Sequence, residues 1–302
     1  MSNPYYRDYA WWLSTLFEGK VQKITVDAGF SCPNRDGTIG RGGCTYCNNA
    51  SFSPDTSADG EDIEARLEAG KRFFAGKYPA MRYLAYFQSY TNTHGPREKL
   101  LDLYRRALAV DGVAGLIIGT RPDCVEASLL ADIKAVGNGR PVIMEYGAES
   151  SHDTTLQAVN RCHSWADTVR AVEMTADAGL HCGLHFILGL PGEDRAMIMQ
   201  TVDRLNKLPV ETVKFHQLQI IRGTRLAQQY QKGETEFIRF TPESYIDLCV
   251  DIIGRLRPDI AIERFVSQSP AELLIEPRWG LKNYQFVNLL NRALATSRAS
   301  GR

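Results

Sequence analysis

The sequence lacks a net charge, a long apolar run and any low-complexity tract. Its 302 residues carry 35 Lys and Arg against 35 Asp and Glu, so the formal net charge is zero. That balance gives no overall reason to expect nucleic acid or an anionic membrane as partner. No apolar segment is long enough to span a membrane, and no secretory signal opens the chain. We therefore expect a soluble cytoplasmic monomer with no membrane partner.

Cysteine is scarce and odd in number. Seven cysteines without a secretory signal predict free thiols or metal ligands in a reducing compartment, and not disulfides. Three of them, Cys32, Cys44 and Cys47, share one glycine-rich loop, GFSCPNRDGTIGRGGCTYC, and no fourth cysteine is near. The other four are scattered, and we expect them to be small buried residues: Cys124, Cys162, Cys182 and Cys249.

Apolar runs alternate with helical periodicity along most of the chain. The apolar runs cover 21–29, 82–90, 112–120, 141–149, 181–189 and 211–220, with a weaker seventh at 259–266. The helical stretches between them cover 59–77, 96–110, 124–136, 164–179, 193–207 and 241–256. This alternation predicts an α/β fold with a parallel sheet. The pattern fits a partial or complete (β/α) barrel and also an open doubly wound sheet.

Polar residues follow each predicted strand. The cysteine loop follows the first strand, and later strands end in QSYTNTH (88–94), TRPD (120–123), AESSHD (148–153), LPGED (190–194) and QIIRGT (219–224). The carboxyl ends of parallel strands meet on one face, where the active sites of such folds lie. The sequence therefore predicts one pocket that the cysteine loop shares with these strand ends.

Three thiolates without a fourth suit two kinds of metal centre. Zinc held by three cysteines and a water would make a structural or binding protein without catalysis. A [4Fe–4S] cluster on three thiolates leaves one iron free for the amino and carboxylate groups of S-adenosylmethionine (SAM). One electron from the cluster then cleaves SAM to methionine and a 5′-deoxyadenosyl radical, which abstracts hydrogen from a substrate. Glycines 37, 40, 42 and 43 let the loop wrap closely around such a group.

The loop CPNRDGTIGRGGCTYCNNASF resembles the radical-SAM superfamily, specifically its YhcC-type branch. Eleven residues separate Cys32 from Cys44, a long gap similar to that in the radical-SAM subunit of Elongator. The resemblance implies a partial (β/α)6 TIM-like barrel with an N-terminal helix and a C-terminal helical extension. It also implies a single domain over 1–302, with a helical flank at 1–20, a barrel core at 21–222 and a closing part at 223–302.

The same resemblance implies the cofactors and their ligands. Cys32, Cys44 and Cys47 hold a [4Fe–4S] cluster, and a donor such as flavodoxin or ferredoxin reduces it. The residues implied in SAM binding are Ser89, Tyr90, Thr91, Glu149, Arg161, His185 and His216. Within QSYT the hydroxyls replace the usual glycine-rich motif for the SAM amino group. Glu149 in EYGAESSHDTTLQAVNRCHS meets the ribose, Arg161 meets the carboxylate, and HFILGLPGE lies near the adenine.

Plainer interpretations of these residues stay open at this point. Glu149 could cap the helix that follows its strand, as acids at strand ends often do. Arg161 could be a surface arginine that pairs with Asp153 or Glu149. His185 and His216 lie in apolar strands, where a hydrogen-bonded core histidine is at least as common as a ligand.

The resemblance to Elongator also implies a substrate, the wobble uridine of tRNA. Arg222, Arg225, Lys232 and Arg239 follow the sixth strand, and a second basic group lies near the end of the chain: Arg278, Lys282, Arg292, Arg298 and Arg302. With Trp279 and Tyr284 available for base stacking, these residues could bind RNA. The alternatives are a solvated basic surface and a small-molecule substrate.

Overall fold

The computed structural model describes residues 3–51, 63–76 and 81–299. Within them, strands and helices alternate for most of the chain. The strands are β1 Val21–Val26, β2 Arg82–Phe87, β3 Val113–Thr120, β4 Val142–Glu149, β5 His181–Leu188, β6 Thr212–Gln217, β7 Ile220–Ile221, β8 Ala261–Arg264 and β9 Leu274–Glu276. The helices are α1 Tyr9–Leu16, α2 Pro33–Asp36, α3 Ile63–Ala75, α4 Arg97–Ala109, α5 Ala127–Gly137, α6 Asp153–Ala158, α7 Trp165–Asp177, α8 Arg195–Leu205, α9 Arg225–Lys232, α10 Pro242–Arg255 and α11 Asn283–Ala299.

Seven strands form one parallel sheet and lie side by side in chain order, β1-β2-β3-β4-β5-β6-β8. A doubly wound sheet reverses its strand order at a switch point, so this sequential order excludes that alternative. The two edge strands approach each other, because Lys23 Nζ on β1 lies 2.7 Å from Glu263 Oε2 on β8. The sheet is therefore curled, and the predicted partial TIM-like barrel is confirmed, with a seventh strand inside the weak run at 259–266.

Several helices begin where the sequence supplies a cap. Ser164 and Asp167 form a reciprocal capping box at the start of α7. Thr241 and Ser244 form another at α10, with Pro242 in the first turn. Such caps satisfy amides that have no partner within the helix, and each contributes about 1 kcal/mol.

The helices predicted from periodicity are all found. The helical C-terminal part is confirmed as α9, α10 and α11, with the barrel strand β8 between α10 and α11. The helix predicted over 59–77 is present as α3, while its expected start at 59–62 and its last residue at 77 lie outside the described residues. No helix in the described part of the chain is long and apolar enough to cross a lipid bilayer.

Helix α1 closes the lower end of the barrel, which is the end at which the strands begin. Tyr9, Trp12 and the following Phe17 are buried against side chains that the strands direct inward: Leu84, Tyr86, Ile117, Ile143 and Ala261. The segment before α1 adds to this closure, since Asp8 pairs with Ile262 of β8 as an isolated bridge. Burial of each large aromatic side chain contributes about 1.5–3 kcal/mol, so the aromatic N-terminal segment is a plug and not only a packed flank.

Above this plug, four charged side chains form a closed layer across the barrel. Lys214 Nζ lies 2.6 Å from Glu145 Oε2 and 3.2 Å from Glu263 Oε1. Lys23 Nζ lies 3.2 Å from Glu145 Oε1 and 2.7 Å from Glu263 Oε2. Each charge thus has two opposite partners. We refer to Lys23, Glu145, Lys214 and Glu263 as the ion layer.

Electrostatics keeps the ion layer charged in spite of its burial. Burial opposes the carboxylate of Glu145, but Lys214 and Lys23 hold its pKa well below the usual value. Burial also lowers the pKa of Lys214 to about 8, although the two glutamates favour its charged form. At neutral pH, therefore, two cations balance two anions across the barrel.

Candidate functional site

A cavity of about 240 Å³ opens above the ion layer, at the carboxyl ends of the strands. Cys32, Cys44 and Cys47 all line it, so the structure brings the three predicted ligands to one site. The ends of β2 to β6 and β8 complete the wall. The predicted pocket is present with one exception: LPGED (190–194) does not line it, and β5 contributes His185 and Ile187 instead.

The cysteine loop is built around one buried amide side chain. Asn34 is fully buried, and its Nδ2 donates to the carbonyl oxygen of Asn160 at 2.6 Å and to Cys44 Sγ at 3.6 Å. A β-carbon on Gly40 would lie 2.2 Å from Asn34 Oδ1, so only glycine fits there. Gly37 ends the short helix α2 with φ +93°, a conformation that glycine adopts readily.

Two contacts tie this loop to the rest of the barrel. His94, which follows β2, places Nε2 2.9 Å from Asp36 Oδ2, and Ser31 Oγ donates to the same oxygen at 2.5 Å. On the other side, the amide of Thr45 donates to the carbonyl of Val159 at 2.9 Å. These anchors hold the loop over the strand ends.

The thiols differ in their surroundings. Cys44 is buried, and its Sγ accepts from Asn34 Nδ2 at 3.6 Å and from Arg161 Nη1 at 3.7 Å. Burial raises the pKa of Cys47 to about 11, although Arg35 beside it favours the thiolate. At neutral pH, Cys47 is therefore a thiol.

The described residues contain no group of three His, Cys, Asp or Glu side chains that could surround a single metal ion. The thiolates of an iron–sulfur cluster bind separate iron atoms and stand farther apart than ligands of one ion. Of the four scattered cysteines, Cys182 and Cys249 are buried as expected. Cys124 is half-buried, and Cys162 is exposed, so the expectation is wrong for Cys162.

Arg161 is buried, so the plainer interpretation is wrong about a surface position, although the pairing with Glu149 that it named is present. Its Nη2 donates to the carbonyl of Gly147 at 2.6 Å and lies 3.5 Å from Glu149 Oε1. Its Nε is buried and has no partner. Burial opposes its charge, but Tyr46, Cys44 and Glu149 raise its pKa well above the usual value. Arg161 is thus a permanent cation beside a cysteine, with one donor unused.

Glu149 lines the cavity and does not cap a helix. The residue preceding α6 is His152, which makes no side-chain cap, and Glu149 pairs with Arg161 instead. Glu149 adopts φ +65°, a strained conformation for a residue with a side chain, and burial raises the pKa of its carboxyl. A β-carbon on Gly147 would lie 2.6 Å from Glu149 Oε1 and 2.8 Å from Arg161 Nη2, so a larger residue there would force these side-chain ends to move.

The segment after β2 contributes three of its four residues to the wall. Gln88, Tyr90 and Thr91 line the cavity, whereas Ser89 is fully buried away from it. Thr91 is 0% exposed and its Oγ1 has no partner. Tyr90 adopts φ +60°. Thr91 thus lines the cavity and has a buried hydroxyl without a hydrogen-bond partner among the described residues.

His185 and His216 line the cavity and also have protein partners. His185 Nε2 lies 3.1 Å from Glu145 Oε2, which connects it to the ion layer. His216 Nε2 lies 3.4 Å from Arg264 Nη2. Burial lowers the pKa of His185 to about 4 and that of His216 well below its usual value. Both rings are neutral at pH 7. Their hydrogen bonds to protein groups agree with core histidines, and their position in the cavity wall agrees with residues of a binding site.

Sequence reasoning did not single out Arg121, although it noted the strand end TRPD. Arg121 is 2% exposed, and its Nε and Nη2 bind Asp123 at 2.9 and 2.8 Å. Its Nη2 also donates to the carbonyl of Arg161 at 2.9 Å, while its Nη1 is buried without a partner. A second cation with an unused donor thus lies beside Arg161.

The basic residues near the end of the chain are exposed as expected where they are described, but Trp279 is not. Arg278 and Lys282 are exposed, and so are Arg292 and Arg298, while Arg302 lies outside the described residues. Trp279 is not available for stacking, because its ring packs on Tyr245 and Phe286 and its Nε1 donates to a backbone carbonyl at 3.0 Å. Tyr284 is 61% exposed.

The chain matches known families along most of its length. A model of the radical SAM superfamily matches residues 35–205, and a model of a radical SAM C-terminal domain matches residues 210–296. YtqA of Bacillus subtilis is 34% identical over 278 residues, which are 92% of this chain and 86% of that protein. YhcC of Escherichia coli is 37% identical over 270 residues, 88% and 85% of the two chains.

Two further comparisons are more distant. A tRNA uridine(34) acetyltransferase of Methanocaldococcus infernus is 29% identical over 165 residues, which are 53% of this chain and 30% of that protein. The solved structure of an N-terminally truncated Elp3 of Methanocaldococcus infernus superposes with a TM-score of 0.67 at 17% identity. It covers 93% of this chain and 64% of that one, and it confirms the fold. The chain therefore belongs to the radical SAM superfamily of enzymes, in its YhcC-type branch.

Proposed function

We propose that this protein binds a [4Fe–4S] cluster on Cys32, Cys44 and Cys47 and cleaves SAM reductively to start a radical reaction. The observation that carries the proposal is that these three cysteines line one cavity with buried polar atoms that have no partner. When bound, the cluster transfers one electron to SAM, whose C–S bond breaks to give methionine and a 5′-deoxyadenosyl radical. A small donor protein such as flavodoxin or ferredoxin supplies the electron.

The side chains around the cysteines fit the charges of this pair of cofactors. Arg161 Nε and Arg121 Nη1 are unused guanidinium donors, suited to the SAM carboxylate. Thr91 Oγ1 is an unused hydroxyl that can accept from the SAM amino group. Glu149, beside Arg161, would accept from the ribose hydroxyls of SAM. Asn34 donates to Cys44 Sγ and would so stabilise this cysteine as a ligand of the cluster.

The test of the cofactor is metal and acid-labile sulfide analysis of anaerobically reconstituted protein. We expect about four iron and four sulfide per chain. Cys32→Ala, Cys44→Ala and Cys47→Ala should each lose the cluster, whereas the control variants Cys124→Ala and Cys249→Ala should retain it. Stoichiometric zinc without sulfide in the anaerobic wild type would instead establish the zinc-binding alternative. Formation of 5′-deoxyadenosine with a reductant then tests the cleavage step.

We further propose that the substrate is the wobble uridine of tRNA. The support is the partial similarity to tRNA uridine(34) acetyltransferases and the group of exposed basic residues near the end of the chain. Because Trp279 is packed inside, any stacking with a base must come from Tyr284 or from the rim of the cavity. Phosphate contacts then supply most of the affinity.

Two measurements test the tRNA proposal. Affinity for tRNA should fall roughly tenfold or more between 50 and 200 mM salt. Charge reversal of Arg278 and Lys282 together should flatten that slope, while reversal of Arg97 and Lys134, on the helices α4 and α5, should leave it unchanged. Deletion of the gene, in a host without a second copy, should alter the wobble-uridine profile of its tRNA. An unchanged profile would move the substrate to a small molecule.

A further inference from the structure

The wall of the cavity at β6 and β8 contains a cation that no carboxylate balances. Arg264, the last residue of β8, lines the cavity, and its Nη2 lies 3.4 Å from His216 Nε2. Its Nε is buried and has no partner. Among the ion pairs of the described residues, none includes Arg264. Four buried or half-buried cations around the cavity floor do have carboxylate partners: Lys23, Lys214, Arg121 and Arg161.

The groups around Arg264 do not cancel its charge. Beneath it, the ion layer is balanced, with two lysines against two glutamates. Beside it, His216 and His185 are neutral at pH 7, because burial lowers the pKa of both. This wall of the cavity therefore carries a net charge of one positive unit.

The backbone of β8 departs from regular pairing in a way that brings Arg264 inside. Val213 pairs with Ile262, but the next residue, Lys214, pairs with Arg264, so Glu263 is an extra residue in the strand. In a regular strand, neighbouring side chains point to opposite faces, and one of the two would face outward. The bulge lets Glu263 complete the ion layer while Arg264 reaches the cavity. The ion layer alone would not require Arg264 to point inward.

The segment that follows Arg264 is fixed in place by hydrogen bonds. Gln217 Nε2 donates to the carbonyl of Ser267 at 3.1 Å, and the Ser267 amide donates to Gln217 Oε1 at 2.9 Å. Ser269 Oγ donates to Gln219 Oε1 at 2.7 Å, and both serines line the cavity. The wall around Arg264 is therefore preorganised, which lowers the entropy cost of binding a ligand there.

We propose that Arg264, with His216 and the segment 267–269, forms a subsite for an oxyanion of the substrate, either a carboxylate or a phosphate. A guanidinium presents parallel N–H groups that match either anion. Neutral His216 accepts from Arg264 and holds the guanidinium in position. The inference rests on the proposed function in one respect: the cavity holds SAM and also the substrate from which the radical abstracts hydrogen. Arg161 and Arg121 are the cations proposed for SAM.

The test is saturation-transfer difference NMR on anaerobically prepared holoprotein in the presence of saturating SAM. The probes are acetate, methyl phosphate and acetamide, which each carry one methyl group to observe. We expect acetate or methyl phosphate to bind, and acetamide, which is neutral, to bind far more weakly. The stronger of the two anions identifies the oxyanion as carboxylate or phosphate. Arg264→Gln should weaken anion binding about tenfold, since a charge-assisted bond is lost.

Two variants control for other causes. Arg105→Gln removes an exposed arginine on helix α4, outside the cavity wall, and should leave anion binding unchanged. Arg264→Lys retains the charge and should bind the anion with intermediate affinity, which also covers the case in which Arg264→Gln does not fold. Equal binding of acetamide and acetate, or unchanged anion binding in both Arg264 variants, would overturn the proposal.

The outcome is separable from that of the proposed function. Anion binding that disappears when SAM is added would assign Arg264 to the SAM carboxylate and would overturn the substrate subsite. Failure of the subsite leaves the iron and sulfide content of the protein untouched. Conversely, zinc in place of the cluster would refute the proposed function while anion binding to Arg264 could still be measured.

Discussion

The ion layer and the cavity wall above it differ in whether their buried polar groups have partners. In the ion layer, each of the four charges has two partners of opposite sign within 3.2 Å. In the cavity wall, Thr91 Oγ1, Arg121 Nη1, Arg161 Nε and Arg264 Nε are buried and have no partner. An unpaired buried polar group costs about 1–3 kcal/mol, so four together are expensive for a structure to retain.

This difference indicates that the ion layer stabilises the barrel, and we propose that the cavity wall binds ligands. The ion layer needs nothing more to be stable, and its removal should damage the fold. The cavity wall retains buried polar atoms without protein partners, and we propose that these atoms bind a ligand. Variants in the ion layer should therefore change the free energy of unfolding, and variants in the wall should change ligand affinity.

The largest effect should come from Lys214→Met, which leaves Glu145 and Glu263 with Lys23 as the remaining lysine of the layer. Loss of one member of a buried ion network typically costs about 3–5 kcal/mol, and we expect a loss in that range by urea unfolding. Lys71→Met is the control, because Lys71 pairs with Glu68 on helix α3 near the surface, where such pairs contribute less than about 1 kcal/mol. The double variant Lys214→Met/Glu145→Gln should regain part of the loss. Equal effects of Lys214→Met and Lys71→Met would contradict the structural role of the layer.

The next effect should be on ligand binding. Arg161→Gln removes a charge-assisted contact worth about 1.5–3 kcal/mol, so SAM affinity measured by calorimetry should fall about ten- to a hundredfold. Iron and sulfide content should not change, because Arg161 supplies no ligand to the cluster. Unchanged SAM affinity would show that the cavity wall at Arg161 is structural, like the ion layer.

A pH-dependent effect should follow from the neutral histidines. The pKa of His185 is about 4 in the folded chain, against 6.5 when unfolded. As pH falls from 6.5 toward 4, the unfolded chain takes up a proton at this position and the folded chain does not, so stability falls. Glu193, whose folded pKa is raised to about 7 by burial, acts in the opposite direction between pH 7 and 4.5.

Comparison of the wild type with His185→Gln isolates the histidine, because both proteins retain Glu193. Between pH 7 and 5 the wild type should lose about 1–2 kcal/mol more of its free energy of unfolding than the variant. Parallel stability curves for the two proteins would mean that the pKa of His185 is the same in the folded and the unfolded chain.

The smallest effect on stability should come from Thr91→Val, which replaces an unused buried hydroxyl by a methyl group of similar size. The free energy of unfolding should stay within about 0.5 kcal/mol of the wild type or rise, since no hydrogen bond is lost. SAM affinity should nevertheless fall by roughly 0.5–1.5 kcal/mol, the worth of one hydrogen bond. A marked loss of stability would show that the hydroxyl already has a partner in the protein.

The sequence predicted the alternation of strands and helices and the shared cavity because both depend on local signals. Apolar runs separated by helical periodicity define βα units, and the three cysteines lie within 16 residues of one another, so chain connectivity alone places them together. The helix α6 was missed because six residues are too few to show periodicity.

The ion layer could not be found by the same reasoning. Lys23 and Lys214 alternate with apolar neighbours in KITV and TVKFHQ, and such a pattern ordinarily indicates a strand with one face in water. In a curled sheet the polar face can instead turn inward, and only partners distant in sequence reveal it. Trp279 shows the converse, since it lies in a polar stretch and yet packs against Tyr245 and Phe286.

The bulge in β8 has a consequence for how related proteins could diverge. An in-frame deletion of one codon there would restore regular alternation and turn either Glu263 or Arg264 toward the outer helices. Ordinary point substitutions would leave that arrangement in place. The charge of the cavity wall at Arg264 therefore depends on the number of residues in β8 as well as on their identity. Sequence alignments that permit a gap at this position would show in which related proteins the charge has changed.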